Sequence, residues 1–156
     1  MQFAFVTVTS KTPTWLAEIC LDYQKKISFW IPTGVHFLKS QGRDRALLEL
    51  KKKEDSEKVL SFLNPNDFVL LCDERGKEMD SGGVAKKIEN ILNGGKKRVV
   101  VVVGGSYGVT DEVKSRADFQ LRLSSLTTNH HLALAVVLEQ VYRAMTILKN
   151  VKYHND

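Results

Sequence analysis

The chain has 156 residues, 43% of them apolar and 26% charged, with two cysteines. That is one domain's length, enough to bury a core without metals or disulfides, in soluble globular proportions. A formal charge of +5 points weakly to a polyanionic partner such as nucleic acid.

Strand-like and helix-like segments alternate from the first residues. Residues 2–8 alternate and are rich in Phe and Val, which predicts a strand. No basic leader or long apolar stretch marks this start as a signal peptide, so the protein is expected in the cytoplasm. Thr12-Pro13 opens a helix to about residue 29, with Thr at the N-cap and Pro in the first helical position. Ile31-Pro32-Thr33-Gly34 reads as a turn and residues 35–38 as a short strand. Residues 43–63 set Ala46, Leu47, Leu50, Val59, Leu60 and Leu63 among charges. An exposed amphipathic helix fits best, stopped by Asn64-Pro65-Asn66.

Residues 68–72 read as a buried strand. Ser81 caps a helix to about residue 92, closed by Asn93-Gly94-Gly95. Five consecutive valines at 99–103 predict a strand buried on both faces, as in a parallel sheet. Thr110 caps a short helix to about residue 117, and residues 119–123 alternate as a further strand. The last helix spans about residues 130–149. The longest apolar runs, 99–103 and 132–138, are too short to cross a bilayer. Residues 132–138 are nevertheless apolar on every side of the helix, and the sheet covers only one side. A second copy of the chain is the expected cover for the other. The whole pattern predicts one α/β domain with a mostly parallel sheet. Cys20 and Cys72 read as small core hydrophobes, and no disulfide is expected.

Ligands of open parallel sheets bind beyond the carboxyl ends of strands. Three loops lie there: Cys72-Asp73-Glu74-Arg75-Gly76, Gly104-Gly105-Ser106-Tyr107-Gly108 and Ser124-Ser125-Leu126-Thr127-Thr128. Gly104 and Gly105 would let a ligand approach the main chain, although a ligand-free tight turn explains them comparably. There is no P-loop signature, and the glycines come too late for a dinucleotide fingerprint. No G-x-S-x-G elbow is present. No metal site is expected, because adjacent helical residues such as His130 and His131 point about a third of a turn apart. Tyr153-His154 is a pair capable of proton transfer, but composition by itself reads it as a frayed terminus.

Several stretches together resemble one family. They are residues 101–109, residues 121–127, Leu138-Glu139-Gln140-Val141-Tyr142-Arg143-Ala144, and the ending Tyr153-His154. Lys11-Thr12-Pro13-Thr14-Trp15 and Asp73 with Gly76-Lys77 fit too. The chain is similar along essentially its whole length to the ribosomal large subunit methyltransferase H family. That resemblance implies a SPOUT-type α/β knot: a single domain over 1–156 whose carboxyl-terminal part, about 99–156, threads a trefoil knot. It implies a homodimer that binds S-adenosylmethionine and methylates N3 of a pseudouridine in large-subunit ribosomal RNA, on assembled ribosomes.

Carried onto this chain, the resemblance implies a cofactor site at Cys72, Gly104, Gly105, Leu123, Ser124, Ser125, Leu126, Thr127 and Thr128. It implies a reactive tail of Tyr153 and His154, with Arg143 nearby. His154 is the candidate to accept the N3 proton, and Tyr153 could stack on a base. The chain departs from the family at Asn129, Leu134 and Cys72, where proline, arginine and leucine are usual. Lys25-Lys26, Lys51-Lys52-Lys53, Lys86-Lys87 and Lys96-Lys97-Arg98 are candidate phosphate contacts. Two alternatives stay open: a same-class methyltransferase for tRNA or another ribosomal base, and a ribosome-binding protein without turnover.

Overall fold

The computed structural model describes residues 1–41 and 47–155. Its elements alternate as β1 (Gln2–Thr9), α1 (Thr14–Ser28), β2 (Thr33–Lys39), α2 (Leu48–Phe62) and β3 (Phe68–Glu78). They continue as α3 (Ser81–Asn93), β4 (Arg98–Val103), α4 (Asp111–Arg116), β5 (Phe119–Arg122) and α5 (His130–Leu148). The start of the helix anticipated over 43–63, including Ala46, lies outside the described residues. The five strands form one sheet in the order β2-β1-β4-β3-β5, every pair parallel.

Alternation along the strands divides the core between two faces. Phe3, Phe5, Leu70, Val99, Val101 and Val103 point toward α1, α3 and α5. Ala4, Val6, Val8, Val69, Leu71, Val100 and Val102 point toward α2 and α4. The five valines of β4 are each at most 2% exposed, as burial on both faces requires. Sheet and helices thus make a single three-layer α/β domain.

Several local expectations shift. Pro13, not Thr12, is the N-cap of α1, and its carbonyl accepts from the amides of Leu16 and Ala17 at 3.1 Å. Asp80, not Ser81, caps α3, accepting from the Gly83 amide at 2.7 Å. The Ser81 hydroxyl instead donates to Gln140 on α5 at 2.8 Å. Thr33 and Gly34 belong to β2, paired with Phe3 and Ala4, so the turn is shorter than expected. Arg98 holds Asp67 through two nitrogens and also donates to the Phe62 carbonyl, at 3.0 Å. That guanidinium ties β4 to the loop after α2, and is therefore no free phosphate contact.

The largest difference is in β3. Residues 73–76, expected as a loop, are extended strand that bulges away from its neighbour. Cys72 pairs with Leu121, and Lys77 pairs with Leu121 again. A Cβ on Gly76 would lie 2.7 Å from the main-chain carbons of Gln120 and Leu121. Only glycine lets the bulge rejoin the sheet so close to β5.

Helix α5 is 19 residues long with mean hydropathy 1.3, so by length and composition it could cross a bilayer, which counting apolar runs missed. Instead Leu134, Val137, Leu138, Val141, Ala144 and Met145 are buried in the core against the sheet, α1 and α3. Leu134, where the resemblance led to an arginine being expected, is fully buried and packs in the core. Leu132 and Val136, on another face, are 46% and 42% exposed.

Candidate active site

A cavity of about 750 Å³ opens where β3, β4 and β5 end and α5 begins. Its volume is that of a pocket for a small ligand. The glycine loop after β4 forms one wall. Gly108 has φ +77° and its amide donates to the Gly105 carbonyl at 3.0 Å, closing a tight turn that needs glycine. A Cβ on Gly104 would meet Val109 at 3.0 Å and the Gly108 carbonyl carbon at 3.3 Å. Helix α2 braces this loop from behind. Buried Asp55 accepts from the Ser40 hydroxyl at 2.8 Å, and Ser56 accepts from the Thr110 amide at 3.0 Å.

The bulge of β3 forms a second wall. Asp73 accepts from the Arg75 amide at 2.8 Å and pairs with Lys114 at 3.5 Å. Burial, then the Asp73 charge, pushes the Cys72 thiol up to about 12, so it stays protonated and packs as a hydrophobe. The loop after β5 is the third wall. The Ser124 hydroxyl accepts from the Leu126 amide at 3.0 Å, and Leu126, which lines the cavity, is 76% exposed. Leu123, Thr127 and Thr128 line the cavity with it, while Ser125 lies outside the lining.

The amino terminus of α5 is the fourth wall. Asn129 caps it, accepting from the Leu132 amide at 2.9 Å. His130 and His131, expected to diverge, bring their rings 4.0 Å apart. Both reach back to Thr9 at the end of β1, with His131 Nε2 2.9 Å and His130 Nε2 3.4 Å from its hydroxyl. That hydroxyl already donates to the Lys11 carbonyl at 2.9 Å, so it accepts from His131 and places the proton on Nε2. Burial chiefly, helped by His131 and Lys51, pushes His130 down to about 4.

At the other end of α5 the tail is docked, not frayed. Arg143 grips Glu139 through Nη2 at 2.6 Å and Nε at 3.0 Å, and Nη1 lies 3.1 Å from His154 Nδ1. Arginine can only donate, so in this contact His154 Nδ1 accepts. The Tyr153 hydroxyl donates to Glu139 at 3.1 Å. Burial, and bonds to Tyr23 and Glu139, push Tyr153 up, so it remains a phenol. Its ring packs edge-on to Tyr142 at 4.9 Å, under the Arg143 guanidinium. None of Arg143, Tyr153 or His154 lines the cavity. Arg143 sits thirteen residues after His130 on the helix, roughly 20 Å away by helical rise.

The family model described as "Predicted SPOUT methyltransferase" matches residues 1–154. The chain is 43% identical over 155 residues, 99% of both proteins, to "Ribosomal RNA large subunit methyltransferase H" of Bdellovibrio bacteriovorus. Proteins of that name are 35% identical in Trichlorobacter lovleyi, over 99% of this chain and all of the relative, and 31% identical in Parabacteroides distasonis, over the full length of both. The chain belongs to the large subunit methyltransferase H family of SPOUT methyltransferases.

The methyl donor of SPOUT methyltransferases is S-adenosylmethionine. The cavity fits it by the chemistry of its lining. Leu123 and Leu126 offer apolar contact for an adenine ring, and Thr127 and Thr128 offer hydroxyls for a ribose. Asp73, Glu74, Lys52 and Lys114 supply both signs of charge for a zwitterion that also carries a sulfonium. Lys52, Tyr107, Lys114, His130 and His131 were not among the residues carried over from the family. Of these, Tyr107 lay in the glycine loop singled out after β4 and Lys52 in a basic run. The rest are brought in by strand order and by the cap of α5.

Proposed function

We propose that this methyltransferase acts on N3 of a pseudouridine in large-subunit ribosomal RNA, in the cytoplasm, as a homodimer with S-adenosylmethionine bound in the cavity. What carries the reading is the cavity at the ends of β3, β4 and β5, in a chain aligned end to end with ribosomal RNA methyltransferases. Cys72, Gly104, Gly105, Leu123, Ser124, Leu126, Thr127 and Thr128 would hold the donor. Ser125 would act only by shaping its loop. A single domain over 1–156 with a trefoil knot in about 99–156 is part of the proposal. Strand order supports it, because the chain from β4 to β5 must pass the bulged end of β3, which lies between them.

Two observations support the dimer. Leu132, Val136 and Leu126 leave apolar surface exposed beside the cavity. The tail and the cavity also lie at opposite ends of α5. A two-fold axis that packs α5 antiparallel against its copy sets the tail of one protomer beside the cavity of the other.

When bound, the donor supplies a methyl group on a cationic sulfur, which is attacked in line. This chain's residues would orient the uracil ring and take its N3 proton. Tyr153 has a ring to stack on the base. His154 would take the N3 proton at Nδ1 once Arg143 releases that nitrogen, which requires substrate to draw Arg143 away. Single-turnover methylation of assembled ribosomes by His154→Ala tests that role. A rate lower by an order of magnitude or more and a flattened pH profile are expected. An unchanged rate across pH removes His154 from proton transfer. Mass mapping of ribosomal RNA from cells with and without the protein tests the whole reading, which fails if no large-subunit pseudouridine loses its methyl group.

A further inference from the structure

Phe29 caps the carboxyl end of α1 and is 83% exposed. A bare phenyl ring in that position contributes almost nothing to the core. It is not isolated. Its ring meets Trp30 edge-on at 5.5 Å, Trp30 lies tilted on Tyr142 at 5.8 Å, and Tyr142 meets Tyr153 of the tail at 4.9 Å. The aromatic row therefore runs from solvent at Phe29 to the tail beside His154.

Cations accompany the row. The Lys26 ammonium, in an exposed pair with Asp22 at 2.6 Å, stands 5.7 Å from the Tyr142 ring centre, and the Arg143 guanidinium, paired with Glu139, 4.8 Å from that of Tyr153. Lys25, the residue before Lys26 on α1, is exposed. For Trp30, Tyr142 and Tyr153 a purely structural role suffices, since they are partly buried and pin the tail to α1 and α5. Phe29 escapes that explanation. Aromatic faces flanked by positive charge match the chemistry of unpaired nucleic-acid bases and their phosphates, whereas a duplex hides its base faces.

We infer that Phe29 and Trp30 form a stacking platform for an unpaired base of the RNA substrate, adjoining the base held at the tail. This rests on the reading of the protein as an RNA methyltransferase. It adds a specificity element, a preference for an unpaired segment flanking the target, built from residues outside the cofactor cavity. A transferase that must reach a ring nitrogen needs its target unstacked, and the neighbour stranded by that unstacking needs a new face to rest on.

The test uses the full-length protein and a labelled mixed-sequence RNA dodecamer, single-stranded or annealed to its complement. Phe29→Ala should weaken single-strand binding by about tenfold, with duplex binding unchanged. Phe29→Tyr should restore it. Fluorescence of Trp30, followed in a Trp15→Phe background, should be quenched by the single strand. Donor affinity by calorimetry and mass by light scattering should not move. Equal weakening for both RNAs would reduce the surface to charge alone and overturn the platform. So would unchanged single-strand binding. Conversion of a dimer to a monomer would assign Phe29 to contact with a second copy instead. Failure of the broader reading looks different: the unaltered protein would then methylate no ribosomal RNA, whatever Phe29→Ala does to binding.

Discussion

At its amino-terminal end α5 meets a cavity walled by loops from three strand ends, whereas further along it carries a cluster made almost wholly of side chains. The cavity depends on glycines that let segments distant in sequence approach one another, and on α2 holding the glycine loop from behind. The tail cluster depends on one carboxylate, Glu139, which serves Arg143 and Tyr153 together. The first should therefore be sensitive to added volume and the second to removed charge. A cavity shaped by glycine turns is rigid, while a tail held by polar contacts can release and re-form.

The sharpest way to break the comparison is to crowd the backbone. Gly76→Ala places a methyl group against the main chain of Gln120 and Leu121, which cannot rotate away. Unfolding free energy should fall by about 3 kcal/mol and Tm by roughly 6–12 °C, measured calorimetrically. Next comes Gly104→Val, which crowds Val109 and Gly108 at the cavity wall. Donor affinity should fall about thirtyfold, equivalent to ~2 kcal/mol, with a smaller change in Tm. A loss of Tm without a loss of affinity would show that the loop does not border the donor.

Glu139→Gln probes the other end. It keeps an acceptor for Tyr153 but leaves Arg143 without its anion. Methyl transfer under single-turnover conditions should slow roughly fivefold, from about 1 kcal/mol of lost anchoring in a partly exposed pair. Donor affinity should be unaffected. Equal damage to both would mean that the two ends are one site within a single protomer.

A separate effect concerns pH. His130 is held near 4 in the folded chain, against 6.5 when free. The unfolded chain therefore takes up this proton first as pH falls. Stability from this group is complete above about pH 6.5 and declines as pH drops toward 4. A Tm series across that range should show the decline, and His130→Gln should flatten it. Persistence of the full decline in His130→Gln would assign it to other groups.

Alternation and valine content made most of the fold legible. A strand of five valines can sit only in the middle of a sheet with helices on both sides, and β4 does. Asn129 as a cap, the helix after Asp80 and the glycine loop after β4 were equally local signals. The bulge of β3 was not local. Residues 73–76 carry two acids, an arginine and a glycine, which read as a loop because nothing in them records that β5 passes alongside. The convergence of His130 and His131 was hidden for the same reason. Helical geometry separates their Cβ atoms, but a threonine at the end of β1 draws both rings to one hydroxyl.

The sequence by itself determined the layered α/β arrangement, the identity of its central strand and the family to which the chain belongs. All of these rest on local periodicity and on residues read in order. Tertiary structure decided the order of strands, and with it which loop ends share a cavity. It also decided that the tail is docked on α5, and that the tail and the cavity lie apart in one protomer. The physical reason is that proximity between distant segments depends on packing of the whole chain, while helices and strands are set within a few residues.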